Sequence, residues 1–113
     1  MIKIAVDAMG GDNAPGEIVK GAVDAVTERK DITVCLTGQK DVIEKELSKY
    51  TYKIEQIEIV DAPEVIETGE PPVNAIRKKK NSSLVVGLNL VKNGEADGFV
   101  SALFYRYILR ALS

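Results

Sequence analysis

Two adjacent glycines, Gly10 and Gly11, stand between two carboxylates, Asp7 and Asp12, in the stretch VDAMGGDNAP from Val6 to Pro15. The stretch follows an apolar, β-branched run and precedes a helix-like pattern, so it occupies a strand-to-helix turn. Glycines at such a turn let backbone N–H groups approach an anion closely, and the helix terminus behind them favours negative charge. On that reading the loop is an anion cradle. The carboxylates would repel a bare phosphate, so they fit if they accept N–H bonds that shape the loop, or face a metal or another cation. The plainer reading makes Gly10-Gly11 a tight turn with Asp12 or Asn13 capping the helix. Both readings stand on the sequence alone. The spacing is not G-x-G-x-x-G, so the dinucleotide fingerprint is absent.

The second group with chemical potential is the basic run RKKKNSS, Arg77–Ser83. Taken in isolation, such a run is a solvated helix end whose cations sit well with the dipole. Its functional reading is a patch for phosphate or an acidic partner, with Ser82 and Ser83 donating at the next helix start. Histidine is absent, which removes the commonest general base, the Ser-His-Asp triad and histidine zinc sites. The single cysteine, Cys35, forms no intramolecular disulfide and lies within an apolar strand, as a core residue does. Chemistry in this chain falls to carboxylates, lysines, hydroxyls, backbone N–H groups or an exogenous ion.

The elements that must position these groups follow from hydrophobic periodicity. Ile2–Val6 reads as a strand. The run APGEIVKGAVDAVTERK is a helix, with Pro15 at its first position and Ile18, Val19, Ala22, Val23 and Val26 on one face. Ile32–Gly38 is a second strand and Lys40–Tyr50 a second helix. A third strand lies near Ile57–Val60, after which Asp61–Pro71 forms the longest irregular stretch. PPVNAIRKKK is a short helix opened by prolines. SSLVVGLNLVKNG is a longer one, with Ser82 or Ser83 as cap and Gly94 as terminator. Asp97–Ala102 is a fourth strand. The order β-α-β-α-β-α-α-β predicts an α/β fold: a mostly parallel, Rossmann-like sheet with helices on both faces.

The 113 residues suit one domain with a modest core. A composition 45% hydrophobic and 28% charged is that of a globular protein. The net charge of −2 gives no overall pull toward nucleic acid or membrane, so any basic site is local. The N-terminus lacks the apolar core of a secretory signal, and no apolar run approaches the length of a membrane span.

Three stretches, IKIAVDAMGGDNAP, EVIETGEPPVNAIRKKKNSS and VKNGEADGFVSA, resemble in order and spacing the N-terminal part of bacterial phosphate acyltransferase. The resemblance covers residues 1–102. It implies transfer of a fatty acyl group from acyl carrier protein to inorganic phosphate, giving acyl phosphate for phospholipid synthesis. It further implies a cytoplasmic homodimer, peripherally associated with the membrane, that needs no cofactor or metal and binds no nucleic acid. A membrane glycerol-3-phosphate acyltransferase is its implied downstream partner. Carried over by motif, Gly10, Gly11, Asn13, Arg77, Lys78, Lys79, Ser82, Ser83 and Ser101 hold phosphate or substrate. Asp7, Asp12, Asn13 and Lys79 are the candidates for catalysis. The basic element also suits an acidic carrier protein.

The resemblance ends after Ala102. There the family continues with a Gly-Asn-Thr-Gly type turn, and this chain has LFYRYILRALS. That departure implies a truncated or frame-shifted product, weakly active or inactive alone, with residues 103–113 as a divergent tail. The alternative for the tail is a helix with Leu103, Phe104, Tyr107, Ile108 and Leu112 on one face. The alternative function is a non-catalytic anion- or nucleotide-binding module.

Overall fold

The computed structural model describes residues 1–67 and 69–102. The expectations for residues 103–113 lie outside them. Four strands form one parallel sheet: β1 (Ile2–Asp7), β2 (Ile32–Gly38), β3 (Ile57–Asp61) and β4 (Gly98–Val100), in the order β3-β2-β1-β4. β-branched residues at Ile2, Ile4, Val6, Ile32, Thr33 and Val34 favour the pleated conformation and supply its side-chain contacts. The helices are α1 (Gly16–Glu28), α2 (Lys40–Leu47), α3 (Pro72–Lys78) and α4 (Ser83–Lys92), and one 3-10 turn, Ile54–Gln56, leads into β3.

Strand order fixes which face each helix covers. The chain steps from β1 to β2 to β3 in one direction, then returns across the sheet to β4. Right-handed crossovers therefore send α1 and α2 to one face and α3 and α4 to the other. The core clusters divide accordingly. Val19, Val23 and Val26 of α1 and Ile43 and Leu47 of α2 pack with Val34, Leu36 and Ile57. On the opposite face Leu90 and Phe99 pack with Ala5, Cys35 and Ala96, and Leu84 joins Ile66 and Ala75 beside the same Phe99 ring. The α/β fold with helices on both faces is thus as the sequence predicts.

Several boundaries differ. Pro15 is the N-cap of α1 and not its first helical residue, and no side chain caps that helix. The Asn13 carbonyl accepts the Glu17 N–H at 3.1 Å, so backbone takes the role assigned to the Asp12 or Asn13 side chain. α2 stops at Leu47, where Lys49 and Tyr50 donate to Glu46 and Leu47 in tighter turns. Asp61 Oδ1 accepts the Lys40 N–H at 3.1 Å, so a carboxylate from the end of β3 sits on the first turn of α2. β4 is confined to Gly98–Val100. At α4 the expected cap holds: Ser82 Oγ accepts from Val85 N at 3.2 Å. Gly94 follows the Asn93 C-cap with φ 75°.

Cys35 is a core residue. Burial, then its hydrogen bond to Glu58, pushes its thiol up to about 11. A thiol so placed is protonated at neutral pH and poorly nucleophilic. At pH 8 the folded chain is expected to react with Ellman's reagent far more slowly than the same chain unfolded in about 6 M urea. Equal rates in both conditions contradict this assignment.

Candidate functional site

In an open parallel sheet, ligands bind beyond the carboxyl ends of the strands, where neighbouring connections diverge to opposite faces. Here that point lies between β1 and β4. The connection leaving β1 enters α1 on one face, whereas the chain reaches β4 through α3 and α4 on the other. Register brings the relevant residues level. Val6 lies opposite Val100 and Asp7 opposite Thr37, so Ser101, the next residue after β4, comes alongside Asp7.

Asp7 is only 1% exposed. Its Oδ1 accepts the Met9 N–H at 3.0 Å, which shapes the start of the glycine loop. Its Oδ2 accepts the Ser101 hydroxyl at 2.9 Å, which ties the ends of β1 and β4 together. The carboxylate therefore orients the loop by accepting hydrogen bonds, one of the roles open to it in the sequence. Thr37 is also fully buried, and its Oγ1 donates to the Ser83 carbonyl at 2.8 Å. That bond fixes the first turn of α4 to the end of β2, so Ser82 and Ser83, both buried, belong to the same strand-end layer.

The glycine loop packs on the end of β4. Gly11 has φ 94°, and a Cβ built there would sit 3.1 Å from Ala102 Cβ. Left-handed backbone and close approach together call for glycine at this position. Gly10 is buried behind it, and Asp12 and Asn13 are exposed at the tip. Gly10, Gly11, Ser101, Asp7, Ser82 and Ser83 are thereby gathered on one edge of the sheet.

The basic run divides. Arg77, Lys78 and Lys80 are exposed along α3 and just after it. Lys79 turns inward: its Nζ donates to the Val65 carbonyl at 2.7 Å and pairs with the Glu70 carboxylate. Lys79, then the Glu67 N–H, hold the Glu70 carboxyl below its usual range. Lys79 thus braces the irregular stretch between β3 and α3. Glu64 joins that brace, its backbone pairing with Ser82 and its carboxylate accepting the Asn81 N–H at 2.9 Å. No group of three or more acidic or cysteine side chains placed to hold a metal ion occurs among the described residues.

A family model described as "Fatty acid synthesis protein" matches residues 2–102. The chain belongs to that family. Among curated relatives, it is 54% identical over 101 residues to a protein of Clostridium botulinum named "Phosphate acyltransferase", the match covering 89% of this chain and 30% of the relative. Proteins of the same name from Clostridium kluyveri and Clostridioides difficile are 56% identical over 99 residues and 52% identical over 101. The chain spans about three tenths of the length of the curated relatives it matches. The fatty acid synthesis match begins and ends with the α/β unit, from Ile2 at the start of β1 to Ala102 beside Gly11.

Two features of the strand-end layer escape sequence reasoning. Thr37 reads as one more β-branched residue of a buried strand, and its donation to Ser83 depends on a helix 46 residues away. The Asp7–Ser101 bond spans 94 residues and needs the β1–β4 register to be known.

Proposed function

We propose that this chain carries the phosphate-binding edge of a phosphate acyltransferase, the enzyme that moves a fatty acyl group from acyl carrier protein to inorganic phosphate. The observation that carries the reading is the Gly10-Gly11 loop, held against the end of β4 at the switch point of a parallel sheet. Strand-end loops backed by helix N-termini favour anions. The names of the relatives supply the acyl group.

The reaction suits a chain without histidine. A phosphate oxygen attacks the thioester carbonyl, the C–O bond forms, and a tetrahedral oxyanion develops. Collapse expels the carrier's thiolate, which takes up a proton, and acyl phosphate leaves. Phosphate is its own nucleophile near neutral pH, so the protein's contribution is positioning and charge stabilisation. Loop N–H groups of Gly10 and Gly11 hold phosphate, the buried Ser82 and Ser83 set the start of α4 in the layer beneath it, and Arg77 and Lys78 receive the acidic carrier protein. Lys79 braces the stretch that leads into α3, the helix that carries them. A homodimer and contact with a membrane acyltransferase belong to the same reading. No helix among the described residues is long and apolar enough to cross a membrane.

Phosphate titrated into the 113-residue chain, followed by 31P line broadening, is expected to show saturable binding; its absence rejects the reading. Charge reversal at Arg77 and Lys78 (Arg77→Glu, Lys78→Glu) is expected to weaken carrier-protein binding and flatten its salt dependence. Unchanged affinity and salt slope make these cations a solvated helix end.

A further inference from the structure

We infer that the outward face of α3 docks an acidic partner through two apolar anchors, Val73 and Ile76, set beside the cations Arg77, Lys78 and Lys80, and that the partner presents an acidic helix with an apolar stripe. The inference rests on the reading above, in which that partner is the carrier protein. It adds the side chains that hold the partner once charge has brought it in.

α3 is seven residues long and buries one side, where Ala75 packs with Ile66 and Leu84. By the helical period, Val73, Ile76 and Arg77 turn away from that contact. Val73 is 60% exposed and Ile76 36%, whereas a surface helix ordinarily turns polar side chains outward. Arg77, Lys78 and Lys80 are exposed next to them, and no salt bridge engages any of the three among the described residues. Lys79 adds nothing to this face, because it reaches the Val65 carbonyl and Glu70. An apolar centre with a charged rim has the composition of an interface.

Charge selects the occupant. A second copy meeting this face about a two-fold axis sets the same three cations against their own images. A lipid surface is held by a long apolar face, and about 10 Å of helix with two apolar side chains offers little of one. An acidic helix satisfies the cations along its charged side and covers Val73 and Ile76 with its apolar stripe. The two groups then act differently. Exposed cations steer the encounter and carry the salt dependence, whereas desolvated apolar anchors hold the complex and respond little to screening.

The test is binding of purified acyl carrier protein to the full 113-residue chain, by surface plasmon resonance at low and at high salt. Val73→Ala and Ile76→Ala place a better helix former at exposed positions, so α3 is expected to persist. Together they are expected to lower affinity about tenfold, through faster dissociation, with the salt slope unchanged. Ile54→Ala removes a still more exposed apolar side chain ahead of β3 and is expected to change nothing. Wild-type affinity in the double alanine variant, with Arg77→Glu, Lys78→Glu still weakening binding, overturns the inference and leaves the reading above standing. A salt slope altered by the alanines marks a displaced α3 and overturns it too. If the wild-type chain binds no carrier protein the inference fails, and the phosphate titration decides the reading separately. Self-association, or binding to phosphatidylglycerol vesicles, that the double variant abolishes assigns the face to a second copy or to a membrane and likewise overturns the inference.

Discussion

Gly87→Ala is expected to destabilise the fold by about 2 kcal/mol net, the difference between an overpacking cost of about 3 kcal/mol at the top of the usual range and the gain in helix propensity. A Cβ at Gly87 would lie 2.1 Å from Phe99 Cε1, 2.6 Å from Cδ1 and 2.9 Å from Cζ. All three atoms belong to one ring. That ring is shared by two clusters, one containing Leu84, Ile66 and Ala75 and the other Ala5, Cys35 and Leu90, so it cannot swing aside without opening both. The opposing term is helix propensity, which favours alanine over glycine by about 1 kcal/mol inside a helix. The clash is larger, so the net sign is destabilising. A loss of this size is a large fraction of the roughly 5–15 kcal/mol typical of a whole domain. Urea denaturation measures it. Phe99→Leu shortens the ring and is expected to recover part of the loss when combined with Gly87→Ala, a coupling visible in a double-mutant cycle. A neutral or stabilising Gly87→Ala contradicts the close packing of α4 on β4.

This glycine also marks the limit of what the sequence tells. The period of Ile18, Val19, Ala22, Val23 and Val26 predicts the buried face of α1, and the structure buries all of them but Ile18, which is half-buried. Alternation of strands and helices predicts a parallel sheet with helices on both faces. Each of these signals is local, spanning a few turns of chain. Gly87 sits inside a helical pattern with nothing nearby in sequence to explain it; its reason is a ring twelve residues on, in a strand on which α4 packs. The candidate site divides in the same way. Gly10 and Gly11 are legible because turn chemistry is local. That Asp7 accepts from Ser101, and that Lys79 faces Val65 and Glu70, depends on register and on the path of an irregular loop. The run Arg77–Lys80 looks uniform as sequence, yet α3 ends at Lys78 and the non-helical backbone of Lys79 separates an inward lysine from exposed neighbours.

The same separation of local from distant causes shapes the expectation at Gly11. Gly11→Val is expected to weaken phosphate binding tenfold or more, with a stability loss of about 2 kcal/mol that leaves the chain folded. Two costs act at once. The φ of 94° is a conformation that a β-branched residue strongly disfavours, and the new side chain starts 3.1 Å from Ala102 Cβ. Either the loop rotates toward ordinary backbone angles or it lifts from the end of β4. Both movements withdraw the Gly10 and Gly11 N–H groups from the edge that Ser101 shares. The sheet is buffered against this change, because β1 remains paired along its length with β2 and α1 keeps its contacts with Val34 and Leu36. Circular dichroism should therefore match wild type at about 15 °C, near the stability maximum of a small domain, while the phosphate titration flattens. Gly11→Ala, with the same backbone demand and a smaller side chain, should fall between the two. Undiminished phosphate affinity in folded Gly11→Val would place the anion elsewhere and leave the glycines as a turn.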